Sequence, residues 1–153
     1  MKTTLTLSLK DVLKINDKAL KRIINKINDE AFLIEVVKKK PYVLGYIENQ
    51  TEELCLAAVK ENGLVLSYVR NKTPSTSLTA TKENGWWALQ MNDNQTEAIC
   101  LEAVKQNGMA LQYARYQTFA ICYEAMKQNG WAIEFIQDKE MKERVAKALS
   151  TEN

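Results

Sequence analysis

Hydrophobic positions recur along this chain in a unit of about 22 residues, a period typical of repeat proteins. In the unit 51–72, Thr51 precedes the apolar run 54–59, and a second apolar run, 64–69, follows Asn62-Gly63. The units that begin at Thr96 and Thr118 repeat this pattern closely. Threonine is a good helix N-cap, and the first run covers a wider arc than the single stripe of a lone amphipathic helix. The pattern therefore predicts a long helix that is buried on two sides, followed by a shorter helix.

Four copies of Lys-x-Asn-Gly mark the end of the long helix in successive units. Their glycines, at positions 63, 85, 108 and 130, are 22, 23 and 22 residues apart. We expect each glycine to adopt the left-handed conformation of a helix C-terminus, with the next apolar residue packed back on the last turn. A fixed period of this kind predicts supersecondary units that stack on one another. The predicted fold class is all-α, a short α-solenoid of two-helix repeats with terminal capping helices.

The predicted organisation is a single domain, 1–153, a length that suffices for one core. It comprises an N-terminal cap, five repeats and a C-terminal capping helix, at about 1–28, 29–50, 51–72, 73–95, 96–117, 118–139 and 140–153. In the first repeat Pro41 replaces the glycine, a substitution that the start of a helix tolerates. The last segment is apolar along one stripe only, as expected of a helix that caps a stack.

The third repeat departs most from the pattern. Thr76, Ser77 and Thr81 stand where other repeats have apolar residues, and the one extra residue of this repeat aligns best at Trp86. Two interpretations are open. Trp86 fills the space that the smaller residues leave, or the insertion tilts the short helix and presents Trp86 as a binding anchor. On the second interpretation we hypothesise a partner-binding site at four residues: Trp86, Trp87, Asn92 and Asp93.

The charge balance changes this picture little. The chain has 46% hydrophobic and 26% charged residues and a net charge of +2, which is ordinary for a globular protein. Residues 1–50 carry ten Lys or Arg against six Asp or Glu, and Lys38-Lys39-Lys40 is the densest basic cluster. These lysines would contact phosphate if the protein bound nucleic acid through its Lys-rich N-terminal half. Lysines are also common at helix C-termini, where they complement the helix dipole.

The residues offer little for catalysis. Histidine is absent, and the chain has neither a glycine-rich phosphate motif nor a Cys-x-x-Cys pair. Cys55, Cys100 and Cys122 share one repeat position, which predicts small buried groups in preference to a disulfide, a metal site or a nucleophile. We therefore predict no enzyme activity, no catalytic residue, no metal and no cofactor.

Membrane contact is not predicted either. No apolar run approaches the roughly 18 residues of a membrane span, and the N-terminus lacks the apolar stretch of a secretory signal. The predicted location is the cytoplasm of the producing or host cell.

The sequence also resembles a known family. Segments 49–63 and 94–108 share the string Cys-Leu-x-Ala-Val-Lys-x-Asn-Gly. This string resembles a tandem helical-repeat family that is known only as a domain of unknown function, of the DUF4116 type. The resemblance covers residues 49–137 well and 29–48 weakly, and the family occurs in bacteria, protists and large DNA viruses. It implies helical repeats, and it supplies no reaction, ligand or catalytic residue.

The predicted function is a non-enzymatic protein–protein interaction module, because stacked repeats create extended surfaces. A more specific form is a small inhibitor that binds and masks a target protein, such as an anti-defence or immunity-type protein encoded by a phage or mobile element. That form is suggested by the size of the chain and the distribution of the family. The alternative is a nucleic-acid-binding protein. The identity of the partner and the oligomeric state stay open.

Overall fold

The computed structural model describes residues 7–151 and contains only helices and the loops between them over that range. The α-helices are α1 (Leu9–Lys14), α2 (Asp17–Ile23), α3 (Glu30–Lys39), α4 (Glu52–Glu61), α5 (Pro74–Gln90), α6 (Glu97–Gln106), α7 (Phe119–Gln128) and α8 (Lys139–Ser150). The 3₁₀ helices are Ile24–Lys26, Pro41–Tyr46, Gly63–Tyr68, Gly108–Tyr113 and Gly130–Phe135. The predicted all-α class is confirmed.

The repeats contact one another in chain order. Each long helix from α3 to α6 packs against the long helix of the next repeat, and α7 packs against α8. The 3₁₀ helices of repeats 1, 2 and 4 also pack against the long helix that follows them. A repeat that cannot bury its apolar face alone is covered in this way by its neighbours. The superhelical course of a solenoid and the division into one domain stay predictions.

Each long helix begins after a residue that caps it, and Thr51, Thr73 and Thr118 also contact the preceding repeat. The side chains of the caps accept a hydrogen bond from the backbone N–H three residues later; these caps are Asp29, Thr51, Thr73, Thr96 and Thr118. Thr73 Oγ1 lies 2.8 Å from Glu52 Oε1, and Thr118 Oγ1 lies 2.7 Å from Glu97 Oε1. One hydroxyl therefore starts its own helix and ties that helix to the first turn of the previous one.

The turn between the two helices of a repeat differs from the prediction. Asn62 ends α4 with its backbone N–H bonded to the carbonyl of Ala58, and its side-chain oxygen accepts from the N–H of Leu64 at 3.0 Å. The same residue therefore ends one helix and caps the next. Asn62 is extended (φ −155°, ψ 105°), and of the described residues only Gly85 has a positive φ. The predicted left-handed glycine is wrong for the other three copies of the motif.

Close approach of the next repeat explains the glycines instead. A Cβ added to Gly63 would lie 2.6 Å from the carbonyl oxygen of Ala80 and 2.5 Å from Asn84 Oδ1. A Cβ added to Gly108 would overlap the carbonyl oxygen of Ala125. In each case the obstacle belongs to the long helix of the following repeat. The motif therefore needs glycine because a neighbouring helix lies against its backbone.

A half-buried glutamine joins the short helices of adjacent repeats. Gln95 Nε2 donates to the carbonyl of Leu89 at 3.0 Å and to the carbonyl of Tyr113 at 2.9 Å, and Gln95 Oε1 accepts from the N–H of Arg115 at 2.9 Å. Leu89 belongs to repeat 3, and the other two residues belong to repeat 4. The side chain of Gln50 makes the same three contacts at the boundary of repeats 1 and 2, and that of Gln117 makes them at the boundary of repeats 4 and 5.

The N-terminal cap closes the first repeat with a shorter version of this contact. Asn25 Nδ2 donates to the carbonyl of Tyr46 at 2.9 Å, and Asn25 Oδ1 accepts from the N–H of Glu48 at 2.8 Å. These are the counterparts of the backbone groups that Gln95 binds in repeat 4. The predicted helices of the cap are confirmed from Leu9 onward, and residues 1–6 lie outside the described residues.

The third repeat interrupts both the apolar core and the series of glutamines. Thr76, Ser77 and Thr81 are fully or almost fully buried, and within the described residues Ser77 Oγ has no hydrogen-bond partner. The buried apolar residues accordingly separate into two clusters that divide within this repeat, with Ala80 and Ala88 in the first and Leu89 in the second. Lys72 stands where a bridging glutamine would join repeats 2 and 3, and a lysine has no oxygen with which to accept.

The extra residue of the third repeat changes the type of its short helix. The N–H of Met91 bonds to the carbonyl of Trp87, four residues earlier. The next N–H, of Asn92, returns to a bond three residues back, to Leu89, as the N–H of Ala114 does to Leu111 in repeat 4. An i→i−4 bond is that of an α-helix, and it accommodates one residue more than the 3₁₀ bond. Residues 86–90 therefore continue α5 after a kink at Gly85 (φ 47°).

The glycine contacts predict that one substitution destabilises the protein at one position and has little effect at the equivalent position of another repeat. Gly108→Ala places a methyl group against the backbone of α7, so we expect the free energy of unfolding to fall by about 2 kcal/mol or more. Gly130→Ala is the matched control, because a Cβ there has no neighbour within 4 Å. Urea unfolding followed by circular dichroism compares the two variants. Equal losses would contradict the close-approach explanation.

The glutamine contacts predict a second difference in stability. Gln95→Ala removes three hydrogen bonds and leaves two carbonyls and one N–H without that partner, so we expect a loss of about 2–3 kcal/mol. Gln95→Glu keeps the shape but replaces the donor with an oxygen that repels both carbonyls, so its loss is at least as large. Gln90→Ala, on an exposed residue, serves as the control. Thermal and urea unfolding measure all three variants, and a loss at Gln95 no larger than at Gln90 would refute the bridging role.

Candidate protein-binding surface

The described residues expose five large apolar side chains. Their exposed fractions are 50% for Tyr42, 45% for Tyr68, 39% for Trp86, 71% for Tyr116 and 75% for Trp131. All but Tyr116 lie in the short second helix of a repeat. Tyrosine and tryptophan are enriched in protein–protein interfaces relative to the rest of a protein surface. The short helices therefore carry the residues that are best suited to contact another protein.

In repeats 1 and 2 two tyrosines form one unit. The rings of Tyr42 and Tyr68 meet edge to face, with centroids 6.0 Å apart. Tyr42 Oη accepts a hydrogen bond from Asn62 Nδ2 at 3.0 Å. A Cβ at Gly45 would lie 2.8 Å from the ring of Tyr68, so the absence of a side chain at Gly45 makes room for that ring. Both tyrosines are thus held in place while about half of each side chain stays exposed.

In repeats 3 and 4 the inserted tryptophan makes an equivalent pair. The rings of Trp86 and Tyr113 are stacked, with centroids 5.6 Å apart and an interplanar angle of 22°. Trp86 therefore does not fill the core of the third repeat, and that interpretation is wrong. Its indole lies on the neighbouring repeat and stays partly exposed.

We call Tyr42, Tyr68, Trp86 and Tyr113 the aromatic strip. The short helices of repeats 1 and 2 contact each other, α5 contacts the short helices of repeats 2 and 4, and each ring pair spans two repeats. Ring–ring contacts contribute beyond area burial and restrict the few torsions of an aromatic side chain. The strip consequently offers flat apolar faces with tyrosine hydroxyls at their edges, and little side-chain entropy is left to lose when a partner binds.

Of the four predicted binding residues, the two tryptophans and Asp93 reach the surface. Trp87 is half-buried, whereas Trp86 and Asp93 are exposed. The carboxylate of Asp93 forms an exposed ion pair with Arg115, with Oδ1 and Nη2 3.0 Å apart. An exposed ion pair of this kind contributes little to stability. The pair joins the ends of repeats 3 and 4.

Asn92 requires a correction. Its side chain is fully buried, with Oδ1 accepting from the N–H of Asn94 at 3.2 Å and Nδ2 donating to the carbonyl of the same residue at 3.3 Å. Asparagine commonly satisfies its own loop in this way. Asn92 therefore shapes the turn after α5 and offers no surface to a partner.

Two of the three lysines that were predicted to contact phosphate already interact with other groups of the chain. Lys38 Nζ forms a hydrogen-bonded ion pair with Glu35 at 2.8 Å, which lowers the pKa of the Glu35 carboxyl, and Lys40 Nζ donates to the carbonyl of Ile15 at 3.4 Å. Lys39 is exposed and lines an open cavity of about 280 Å³ together with Lys40 and Asp17. The carboxylate of Asp17 in the same cavity opposes the binding of an anion.

The cysteines are buried and free, as predicted. Burial raises the pKa of all three thiols, and the nearby carboxylates of Glu52 and Glu97 add to the effect at Cys55 and Cys100. The pKa of Cys100 and Cys122 reaches about 11, so both are neutral thiols at physiological pH. A neutral buried thiol is a poor nucleophile.

Residues 7–151 contain neither a cluster of metal ligands nor a helix that could span a membrane. Over that range no three Cys, Asp or Glu side chains come together in a way that would hold a metal ion. Within the same residues, no helix combines the length and the apolar composition needed to cross a bilayer.

Sequence reasoning missed the rest of the exposed aromatics. Tyr42 and Trp131 follow the Pro or Gly that begins a short helix, a position that was expected to pack back on the preceding helix. In the structure Tyr42 contacts the next repeat instead. The available signal was the size of these residues, because Tyr42 and Trp131 are larger than Leu64 and Met109 at the same position.

One comparison with known proteins gives a match. The family model described as a domain of unknown function (DUF4116) matches residues 96–142, which are repeats 4 and 5 and the first residues of α8. The predicted family resemblance is confirmed for that segment. No curated protein and no solved structure matches the chain.

The cysteine pKa values predict how stability changes in alkali. The folded state holds the protons of Cys100 and Cys122 up to a pKa of about 11, whereas the unfolded thiols release theirs near 9.0. Because the folded state then binds more protons, the free energy of unfolding falls as the pH rises from about 9 to 11. We expect the variant with both Cys100→Ala and Cys122→Ala to lose less stability than the wild type over that range.

Urea unfolding at several pH values measures this difference, and the comparison with the wild type cancels the contributions of lysine and tyrosine. Identical slopes for the two proteins would show that the thiols do not titrate as stated. The same double variant at pH 7 gives the baseline, since both thiols are neutral there in either state.

Proposed function

We propose that this protein is a non-enzymatic binding module that contacts another protein through the aromatic strip. The observation that carries the proposal is the partial exposure of Tyr42, Tyr68 and Trp86, which are held in ring pairs on adjacent repeats. Exposed aromatic residues do not contribute to solubility, whereas the residues that contribute most to binding in protein interfaces are enriched in Trp and Tyr. The repeat packing fixes the spacing of the two ring pairs.

The geometry indicates the kind of partner surface. Ring faces favour apolar side chains or the flat face of an arginine, and the hydroxyls of Tyr42 and Tyr68 suit backbone or side-chain acceptors at the rim. Because the rings are already ordered, binding loses less conformational entropy than it would with free side chains. A small apolar patch with polar edges on a folded protein meets these requirements.

A more specific form of the proposal is inhibition. A small chain that covers the surface of a larger protein blocks whatever normally binds there. An anti-defence or immunity-type protein of a phage or mobile element would act in this way. The support for this form is the size of the chain and the distribution of the family that it resembles.

Nucleic-acid binding through the N-terminal half has less support. Lys38 and Lys40 are engaged within the chain, and Asp17 lies in the same cavity as Lys39. An interface of this type would be weakened steeply by salt, because binding releases counterions from the phosphates. Salt dependence therefore separates the two functions in one titration.

The test is photo-crosslinking in the producing cell. A benzoyl-phenylalanine at position 42 is expected to capture a defined protein, which mass spectrometry identifies. The same label at exposed position 116, outside the strip, is the matched control. The purified partner should then bind Trp86→Ala at least about 10-fold more weakly than the wild type, a difference of about 1.4 kcal/mol.

Two results would contradict the proposal. One is equal capture by the labels at positions 42 and 116. The other is recovery of nucleic acid with an affinity that falls steeply between low and moderate salt, which would favour the alternative. Melting temperatures of the variants check that the fold is intact, because loss of the contact between Trp86 and Tyr113 is expected to cost only about 1 kcal/mol.

A further inference from the structure

The Asn-Gly pair of the repeat motif is chemically labile as well as structural. The backbone nitrogen of the glycine can attack the side-chain amide carbon of the asparagine, because glycine has no Cβ to hinder the approach. A bond between that nitrogen and that carbon closes a five-membered succinimide, and the amide nitrogen leaves as ammonia with the proton of the glycine N–H. Water then opens the ring to aspartate, or to isoaspartate, in which the main chain runs through the side-chain carbon. The chain has four such asparagines: Asn62, Asn84, Asn107 and Asn129.

The folded turn holds the reacting atoms apart. Asn107 and Asn129 have ψ angles of 108° and 111°, and each side-chain oxygen accepts at 3.0 Å from the backbone N–H two residues later. This backbone angle directs the glycine nitrogen away from the side-chain carbon, so the start of the short helix must open before the ring can close. The rate at each asparagine therefore depends on the free energy of that local opening.

The glycine after Asn107 is held by the following long helix. The N–H of Gly108 donates to Gln128 Oε1 at 2.5 Å, and an added Cβ there would overlap the carbonyl oxygen of Ala125. Both contacts belong to α7, so this turn opens only if α7 moves away. Gly63 lies against α5 in the same manner. Reaction at these asparagines thus requires the separation of two repeats.

The glycine after Asn129 lacks these contacts. Gly130 is exposed, and a Cβ there would have no neighbour within 4 Å among residues 7–151. Helix α8 packs mainly on α7, and when α7 and α8 are aligned on their caps, the position of Gln128 is occupied by Ala148, which has no amide to offer. Opening this turn breaks the cap bond from the N–H of Trp131 but leaves the long helices packed.

We propose that Asn129 is a site of spontaneous deamidation in the folded protein and that it reacts faster than Asn62 and Asn107. The reaction replaces a neutral amide with a carboxylate, so the net charge falls from +2 to +1. An aspartate still caps the 3₁₀ helix Gly130–Phe135, because aspartate and asparagine are similar N-caps. An isoaspartate adds one carbon to the main chain where this helix begins, so we expect it to loosen the helix and reorient Trp131. This inference goes beyond the proposed function, because it concerns a covalent change outside the aromatic strip.

Tryptic peptide mapping measures two of these rates side by side. Asn107 and Asn129 fall in separate peptides, 106–115 and 128–139, each of which holds one asparagine that follows a glutamine. The folded protein is incubated at physiological temperature and mildly alkaline pH, and mass spectrometry follows the exchange of the amide NH₂ for OH in each peptide. We expect Asn129 to react at least about 10-fold faster than Asn107, because its turn opens without separating two repeats.

The same incubation in concentrated urea is the matched control. Without folded contacts the two Gln-Asn-Gly sites are expected to react at similar rates. A preference for Asn129 that is equally large in urea would assign it to the local sequence and refute the proposal. Equal rates in the folded protein would refute it too, since they indicate reaction through global unfolding only.

Gly130→Ala tests the chemical step. A Cβ on the attacking residue hinders ring closure, so we expect deamidation at Asn129 to be at least about 10-fold slower. The melting temperature should not change, because the added Cβ meets open space. Isoaspartate, detected with an isoaspartyl methyltransferase, is an expected product in the wild type, since direct hydrolysis of the amide yields aspartate alone. An unchanged rate in the variant, or a product without isoaspartate, would overturn the assignment.

Discussion

The structure depends on a glutamine side chain that binds three backbone groups from two repeats. A helix of six residues leaves most of its carbonyls and N–H groups without partners inside the helix, and stacking removes them from water. Gln95 solves this for two helices together, since its amide donates to Leu89 and Tyr113 and its oxygen accepts from Arg115. Only an amide side chain has two donors and an acceptor on one planar group. Short helices can therefore pack side by side, although few of their backbone groups are hydrogen-bonded within the helix itself.

The third repeat shows what happens where this contact is absent. Lys72 replaces the glutamine, polar Thr76 and Ser77 replace apolar residues, and the core divides there. The inserted residue then lengthens the hydrogen-bond step of the short helix and brings the ring of Trp86 onto Tyr113. The repeat that contributes least to a regular core thus supplies part of the surface that is most suited to binding. A loss of regularity that coincides with an exposed aromatic is a pattern expected at functional positions.

What the sequence predicted correctly depends on local rules. Helix starts follow from the capping threonines, and the burial of Cys100 and its equivalents follows from their shared position in the repeat. The features that it missed depend on where the neighbouring repeat lies. Nothing in Asn107-Gly108 reveals that the carbonyl of Ala125 lies against the glycine, so a left-handed turn was the reasonable expectation. Asn92 is different, because it occupies the repeat position of Val69 and Ala114, which are both buried, so its burial follows from the repeat itself.

The two ends of the stack obey the same requirement in different ways. At the N-terminal end Asn25, a shorter amide, binds the carbonyl of Tyr46 and the N–H of Glu48, so the first short helix is closed. At the C-terminal end the loop before Asp138 is two residues shorter than that before Thr118, and Gln137 is exposed, with its backbone N–H bonded to Gln117 Oε1. Helix α8 packs mainly on its neighbouring long helix, α7. Between these two ends the apolar face of each repeat is covered by the repeat that follows it. Gly130 therefore keeps the motif without the close approach of a following helix that explains Gly63 and Gly108.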